Sequence, residues 1–499
     1  MKFLLMMLFM ILVSPTVFFA QDKDILFQES FEQGISQGIK GSAFDLGKTS
    51  NARKPMLKQL VDKDVHQTFS IEFWVNAEDD WEQYELLALE DTAIDSIKSS
   101  MIFGKQPNGA WYWEYRNSQV QYSYRPTRTR QSIFHKWNLI GISYLAEKQE
   151  VWLYYNGKNV AIYHIPGANM LFGNKVTIRI GGKIKGDMDE WEAFNGMLDE
   201  MVIRSSYYSP NQMAEIYSHY YPSVGNNTTN VKSLDTLKVM TFNIWDGGKE
   251  TGKYIGPQRV VDLIKSQGAD IVAMQETYGS GEQIADALGY YFYLRSNNLS
   301  IMSRYPIEAT LKAYKPFYSA AAQINVNGNT VFIASNWLNY PIDYWDMIEK
   351  GKPIDTKQWM ELQKNKNAEI LKEILEVLSP QVSKDVPFIF CGDFNSGSHL
   401  DWIDKTRHLN GGYVMAFPTT RVMEAEGFTD SFRERHPDPL KERGITWTPA
   451  NPAAFQDRID YIFYKGKNIK ALASEVVNKC HIKYPSDHGA VVTTFKISN

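Results

Sequence analysis

Five short acidic or amide motifs close apolar runs in the second half of the chain. They are Asn243 in Thr241-Phe-Asn-Ile-Trp245, Glu276 in Met274-Gln-Glu-Thr277, Asp393 and Asn395 in Cys391-Gly-Asp-Phe-Asn395, Asp460 in Arg458-Ile-Asp460, and Asp487-His488 after Pro485-Ser486. An apolar run that ends in Asn, Glu, Asp or His places a polar side chain at a strand end, where open α/β folds build their sites. Carboxylate and amide oxygens are hard donors that suit Mg²⁺ or Mn²⁺, and a His with a partner Asp can protonate or stabilise charge on a phosphoryl group. The chemistry that these residue types supply together is metal-assisted cleavage of a phosphodiester.

The elements that must carry them begin at Leu237. Apolar runs there alternate with helical ones: Pro257 opens a helix with Val260, Val261 and Ile264 on one face that closes at Gly268, and Trp359, Leu362, Ile370, Ile374, Leu375 and Leu378 recur at helical spacing before Ser379-Pro380. Mixed strands and helices predict a layered α/β domain over residues 237–499. Residues 21–222 read differently. Period-two stretches such as Phe69-Ser-Ile-Glu-Phe-Trp-Val75 and Val176-Thr-Ile-Arg-Ile180 are separated by turn signals at Asn156-Gly157, Gly181-Gly182 and Asn195-Gly196, with one helix-like segment at Pro210 to His219. That pattern predicts an all-β antiparallel sandwich. Residues 223–236, containing Gly225-Asn-Asn-Thr-Thr-Asn230, read as a polar linker between two independently folding domains.

A chain of 499 residues with 43% hydrophobic content can fill two cores, and its formal charge of -4 lacks the basic field of an avid nucleic-acid binder. Residues 1–20, with Lys2 before the apolar run Phe3 to Val13 and a small residue at Ala20, read as a signal peptide, which predicts a secreted or periplasmic protein. Phe18 fits the small-x-small cleavage rule poorly, so an uncleaved N-terminal anchor is the alternative. No other run is long and apolar enough to span a membrane. Cys391, inside the run Val386 to Cys391, is expected to be a buried free thiol in preference to a bridge to Cys480.

At these motifs residues 237–499 resemble the endonuclease/exonuclease/phosphatase, or DNase I-like, superfamily, and within it secreted bacterial members. Besides the five motifs, the resemblance rests on Gly392-Asp-Phe-Asn-Ser-Gly-Ser-His-Leu-Asp-Trp402, Thr446-Trp-Thr-Pro449 and Gln456-Asp-Arg-Ile-Asp-Tyr-Ile-Phe463. It implies an α/β four-layer sandwich that needs Mg²⁺ or Mn²⁺. Glu276 matches the principal metal-binding Glu, with Asn243 and Asp487 beside it. Asp393 matches the group that orients the attacking water, Asn395 the amide that holds the phosphate, His488 the stabiliser of developing charge and Asp460 its orienting partner. Arg304, in Ser303-Arg-Tyr-Pro306, matches a loop in which an Arg faces phosphate or a plain turn precedes a strand, and His399 reads as structural. Many members carry a His where this chain has Trp337, in Ser335-Asn-Trp-Leu-Asn339. An indole cannot exchange a proton near neutral pH, so Trp337 is expected to contact the substrate instead, by stacking.

The first half resembles the laminin-G-like/concanavalin A-like jelly-roll family through Phe69 to Val75, Trp137 with Ile142-Ser-Tyr144, Leu153-Tyr-Tyr-Asn-Gly157, and Phe194-Asn-Gly-Met-Leu-Asp-Glu200. Its carboxylates lack the Glu-x-Asp spacing of the jelly-roll glucanases. A carbohydrate ligand and a Ca²⁺ at Asp187 or Asp199 are candidates, while the run from Trp111 to Arg130 reads as a packed hairpin before a ligand strip. The expected function is hydrolysis of a phosphate ester of a glycoconjugate, phospholipid head group or, less favoured, nucleic acid. The alternative is a glycan-binding protein whose second domain has lost turnover.

Overall fold

The computed structural model describes residues 24–32, 36–47, 54–61, 68–91, 99–167, 175–185, 190–222, 236–480 and 483–498. The leader at 1–20, Asp187 and nearly all of the linker lie outside them.

The N-terminal part is a two-sheet sandwich. One sheet joins Met56–Val61, Lys175–Ile180, Tyr84–Asp91, Ser99–Lys105, Trp111–Asn117 and Gln121–Tyr124; the facing one runs from Ser36–Gln37 through Gly196–Arg204, Phe69–Ala77, Asn138–Leu145 and Glu150–Tyr155 to Lys158–His164. In Phe69–Ala77 alternation sends Phe69, Ile71, Phe73 and Val75 into the sandwich core. The opposite face is covered too. Trp74 stacks on Tyr217 of the helix Pro210–Tyr220, with ring centroids 5.8 Å apart, and that helix starts on the capping box of Ser209 and Gln212. In the run from Trp111 to Arg130, Trp111, Trp113, Tyr115 and Tyr124 are buried, and Arg125 lies over the Tyr112 ring at 4.4 Å, so this hairpin packs and offers no aromatic strip to a ligand. Asp199 is a loop staple: its carboxylate accepts the N–H groups of Ile39 at 2.7 Å, Lys40 at 3.3 Å and Glu200 at 2.9 Å.

The C-terminal part has two packed sheets between outer helices. The first contains Tyr291–Leu294, Leu299–Ser303, Ile271–Gln275, Leu237–Asn243, Ala490–Ile497 and Ile469–Val477; the second contains Ile307–Thr310, Ser319–Val326, Asn329–Trp337, Phe388–Asp393, Asp460–Lys465 and Thr429–Asp430. Alternate residues of both, among them Val239, Ile271, Ile333, Cys391 and Ile462, fill the space between. The helix Ile255–Gln267 ends as its sequence predicts, at Gly268 in the left-handed region with φ 61°. Cys391 is a buried thiol and Cys480 an exposed one. Among the described residues no helix is long and apolar enough to cross a membrane.

The independence expected of the two domains is not observed. Lys158–His164 pairs in parallel with Tyr291–Leu294, in the register Ala161↔Phe292, Ile162↔Tyr293, Tyr163↔Leu294, so one 14-stranded sheet crosses the boundary. Each domain would otherwise expose an edge strand, and the pairing covers both. Buried Glu150 accepts hydrogen bonds from Tyr293 at 3.1 Å and Thr310 at 2.6 Å, and His164 Nδ1 donates to the Arg295 carbonyl at 3.0 Å. Trp152, Tyr154 and Ile162 join the core between the two C-terminal sheets.

Candidate active site

Two central strands, Leu237–Asn243 and Ile271–Gln275, run parallel and end together, so Asn243 and Glu276 stand side by side on one rim. Across the sandwich, Phe388–Asp393 pairs antiparallel with Asp460–Lys465 in a register that sets Asp393 opposite Asp460. The segment before Ala490–Ile497 brings Asp487 and His488 between the two rims. All five strand-end motifs therefore converge. Glu276, Asp393, Asn395, Asp487 and His488 line one cavity of about 310 Å³ together with Trp337.

His488 Nδ1 donates to Asp460 Oδ2 at 2.9 Å, and both groups are buried. Burial disfavours the imidazolium, but the carboxylates of Asp460, Asp393 and Asp487 outweigh it and raise the His488 pKa well above the usual range. The bond from Nδ1 to Asp460 leaves Nε2 for a ligand in the cavity that His488 lines. Asp393 accepts the Asn395 backbone N–H at 2.9 Å and the side-chain amides of Asn243 at 3.1 Å and Asn395 at 3.2 Å. Burial and the neighbouring Asp460 push its carboxyl up to about 8. Asp487 is raised as well, by burial and by Glu276, with His488 opposing.

Glu276 and Asn395 have left-handed backbones, with φ 55° and 45°, a strain that clusters at functional positions. Glu276 is stabilised from three sides: Asn298 Oδ1 accepts its N–H at 3.1 Å, Asn243 Nδ2 donates to Oε1 at 2.9 Å, and the Asp246 N–H donates to Oε2 at 3.2 Å.

Two sequence expectations need correction. Asn243 was expected to present an oxygen to a metal; its Oδ1 accepts the Trp245 N–H at 3.0 Å and its amide nitrogen bridges Glu276 and Asp393, so it spaces and orients these carboxylates. Arg304 was expected at the phosphate. It follows a strand antiparallel to Ile271–Gln275, with Ser303 opposite Ile271, which carries it level with Asp270 at the far rim, roughly 20 Å from Glu276 at ~3.3 Å per residue. There it pairs with Asp270 at 3.4 Å. His399 is structural as expected, bonded to Thr420 at 2.7 Å and Glu424 at 3.1 Å.

Sequence reasoning missed four aromatic members of the cavity: Trp245, Tyr340, Trp345 and Trp447. Trp245 lies inside the first quoted motif and Trp447 inside another, yet an aromatic beside a strand end reads equally well as core. Behind the site, fully buried Arg458 pairs with Asp401 and Asp430, each at 2.8 Å, and fixes the entry into the Asp460 strand.

Asp393, Asp460 and His488 form the one group of three or more His, Cys, Asp or Glu among the described residues whose ligand atoms lie within 4.8 Å of one another. Asp460 Oδ1 is buried there without a hydrogen-bond partner. With Glu276 and Asp487 alongside, four carboxylates share one imidazolium, an oxygen-rich and under-neutralised set that fits a hard divalent cation.

Residues 240–488 match the model of the Endonuclease/Exonuclease/phosphatase family, and residues 49–214 match that of the Concanavalin A-like lectin/glucanases superfamily. An uncharacterized protein of Caenorhabditis elegans is 29% identical over 303 residues, covering 54% of this chain and 94% of that one. Similar solved structures include a humanized D. rerio TDP2 (18% identity, 52% of this chain and 99% of that chain, TM-score 0.37). Others are an AP endonuclease from Archaeoglobus fulgidus (18%, 52% and 98%, 0.36) and an endonuclease/exonuclease/phosphatase from Bacteroides vulgatus (15%, 53% and 99%, 0.37).

Proposed function

Because the second half of the chain belongs to the endonuclease/exonuclease/phosphatase family and the first to the concanavalin A-like superfamily, we propose an exported, metal-dependent hydrolase of phosphoric diesters. The observation that carries this reading is the convergence of Glu276, Asp393, Asp487 and the Asp460–His488 pair on one cavity. The leader-like residues 1–20 support export, and the jelly-roll domain supports a carbohydrate ligand for the first half.

Glu276 and Asp487, with Asp393 and Asp460 adjoining, are the residues that would hold Mg²⁺ or Mn²⁺, which when bound polarises a phosphoryl oxygen. The remaining work falls to side chains. The water oxygen bonds to phosphorus, one ester P–O bond breaks, the water proton passes to Asp393, and the departing alkoxide takes a proton from His488. The products are a phosphomonoester and an alcohol. The Asn243 and Asn395 amides hold the Asp393 carboxylate in place for that proton, and the Asp460 partner turns His488 and favours its charged form. Trp337, in register with Asp393 on the neighbouring strand, borders the phosphate position and shapes the substrate in place of a second ionisable group.

The test is hydrolysis of bis(p-nitrophenyl) phosphate by the full chain with Mg²⁺ and with a chelator added. A rate that the chelator leaves unchanged would remove the metal from the reading. No turnover with any divalent ion would remove the hydrolase, and leave a glycan-binding protein.

A further inference from the structure

The wall of the cavity says what flanks the phosphate. Trp245, Trp337, Tyr340, Trp345 and Trp447 rise around the acidic floor, and among the described residues no Arg or Lys lines the cavity. Four of these rings pack on other rings. Trp345 lies 4.2 Å from the Tyr344 ring and 5.8 Å from Trp447, while Trp337 meets Phe317 edge-on at 5.2 Å and Tyr340 at 6.4 Å. Tyr340 is 62% exposed, so this wall opens to solvent. On the same side stands Asp343, exposed, with Oδ1 accepting the Asp346 N–H at 3.0 Å; it belongs neither to the metal-binding set nor to the proton-transfer pair.

A nucleic-acid strand needs cationic or N–H partners for the phosphates on each side of the one being cut. Here a second phosphate would meet aromatic faces and Asp343. A positively charged nitrogen meets the opposite circumstance, because ring faces and a carboxylate both attract it, and desolvation between several rings strengthens the attraction. We infer that the site takes a diester with a single phosphate, one arm of which ends in an ammonium group. Hydrolysis breaks the P–O bond to the other arm; water supplies the hydroxyl to phosphorus and a proton to the departing alcohol, and the ammonium-bearing phosphomonoester remains. This rests on the phosphodiesterase reading above.

The test uses the full chain with Mg²⁺ and three p-nitrophenyl phosphodiesters whose second arm is choline, its neutral isostere 3,3-dimethylbutanol, or a carboxylate-bearing alcohol of like size. kcat/KM should fall in that order, with choline about tenfold above the isostere. Asp343→Asn and Tyr340→Ala should each shrink that ratio to below about threefold. Quenching of tryptophan fluorescence by phosphocholine against 3,3-dimethylbutyl phosphate gives the same comparison without turnover. Equal kcat/KM for the three, a preference untouched in both variants, equal affinity in the fluorescence titration, or faster cleavage of an oligonucleotide would each overturn the inference, even if bis(p-nitrophenyl) phosphate is hydrolysed. Loss of all hydrolysis with selective phosphocholine binding would overturn the enzymatic reading and leave the cation-binding wall standing. A lipid head group and a choline phosphate carried on a sugar share this chemistry; phosphocholine release from phosphatidylcholine vesicles or from a soluble sugar diester identifies the source.

Discussion

A chain starting at Thr236 should not behave as an independent enzyme, because it would lose the strand that completes its first sheet. Removing Lys158–His164 uncovers Phe292 and Tyr293, which are 1% and 0% exposed in the full chain. At ~1.5–3 kcal/mol for a large apolar side chain, these two account for roughly 3–6 kcal/mol. Losing the Glu150 bond to Tyr293 adds about 1 kcal/mol. The sum is comparable with the ~5–15 kcal/mol that holds a typical domain together. In the full chain Phe292→Ala alone should cost ~3–5 kcal/mol, since it leaves a cavity beside Tyr163, its ring neighbour at 6.0 Å. Urea unfolding followed by tryptophan fluorescence, with hydrolysis of bis(p-nitrophenyl) phosphate assayed at each urea concentration, should give one shared midpoint, moved down by Phe292→Ala. Full activity and an unchanged midpoint in the chain starting at Thr236 would refute the reasoning and restore two independent domains.

Asp393→Ala and His488→Ala should each lower turnover by at least ~10²-fold with the fold retained by circular dichroism, since each removes a positioned proton acceptor or donor. Glu276→Gln should raise the Mg²⁺ concentration needed for half-maximal rate by ~10-fold or more; an unchanged metal titration would place the ion elsewhere. Arg304→Ala should leave kcat/KM within about twofold, because Arg304 pairs with Asp270 on the far rim. Stability should fall on acidification through His164, whose pKa burial, aided by Arg295, pushes down to about 4 from 6.5. The unfolded chain takes up this proton near pH 6.5 and the folded chain only near 4, so the contribution is whole above pH 6.5 and is lost between the two. At ~1.4 kcal/mol per pH unit that is about 3 kcal/mol. His164→Gln should flatten the dependence of the urea midpoint on pH over this window.

Asn243, Glu276 and Asp393 were legible because each ends an apolar run, and a strand whose direction is known fixes where its last residue stands; Asp460 instead opens its strand, and Asp487 and His488 precede theirs. The pairing of Asp460 with His488 was read from the family resemblance of their motifs. Direction is also what misled for Arg304, since the loop motif does not say that its strand runs antiparallel to the one bearing Glu276. For Asn243, residue type could not tell an oxygen aimed at a cation from a nitrogen bridging two carboxylates. The aromatic wall was hidden because Tyr340 comes from the irregular stretch after Asn329–Trp337 and Trp345 from the six-residue helix Tyr344–Glu349, too short for periodicity to separate a lining ring from a core ring. Domain independence failed for a different reason. The pairing of Ile162 with Tyr293 joins residues far apart in sequence, and neither strand's own pattern announces its partner.

That pairing also lies close to the chemistry. Because Tyr291–Leu294 is antiparallel to Leu299–Ser303, and that strand is antiparallel to Ile271–Gln275, the end of Lys158–His164 points to the same rim as Glu276. His164 bonds the Arg295 carbonyl at the start of the turn that contains Asn298. Asn298 Oδ1 in turn accepts the Glu276 N–H, and its Nδ2 donates to the Phe317 carbonyl at 2.9 Å, behind the ring that packs on Trp337. One turn therefore supports the strained backbone of Glu276, the aromatic wall and the jelly-roll junction together. A domain joined by a polar linker alone could only bring substrate near. On the proposed function, a ligand bound by a domain that shares a sheet with the candidate site would be held at a fixed distance and orientation from the phosphate, so that domain's choice of ligand would enter the choice of substrate.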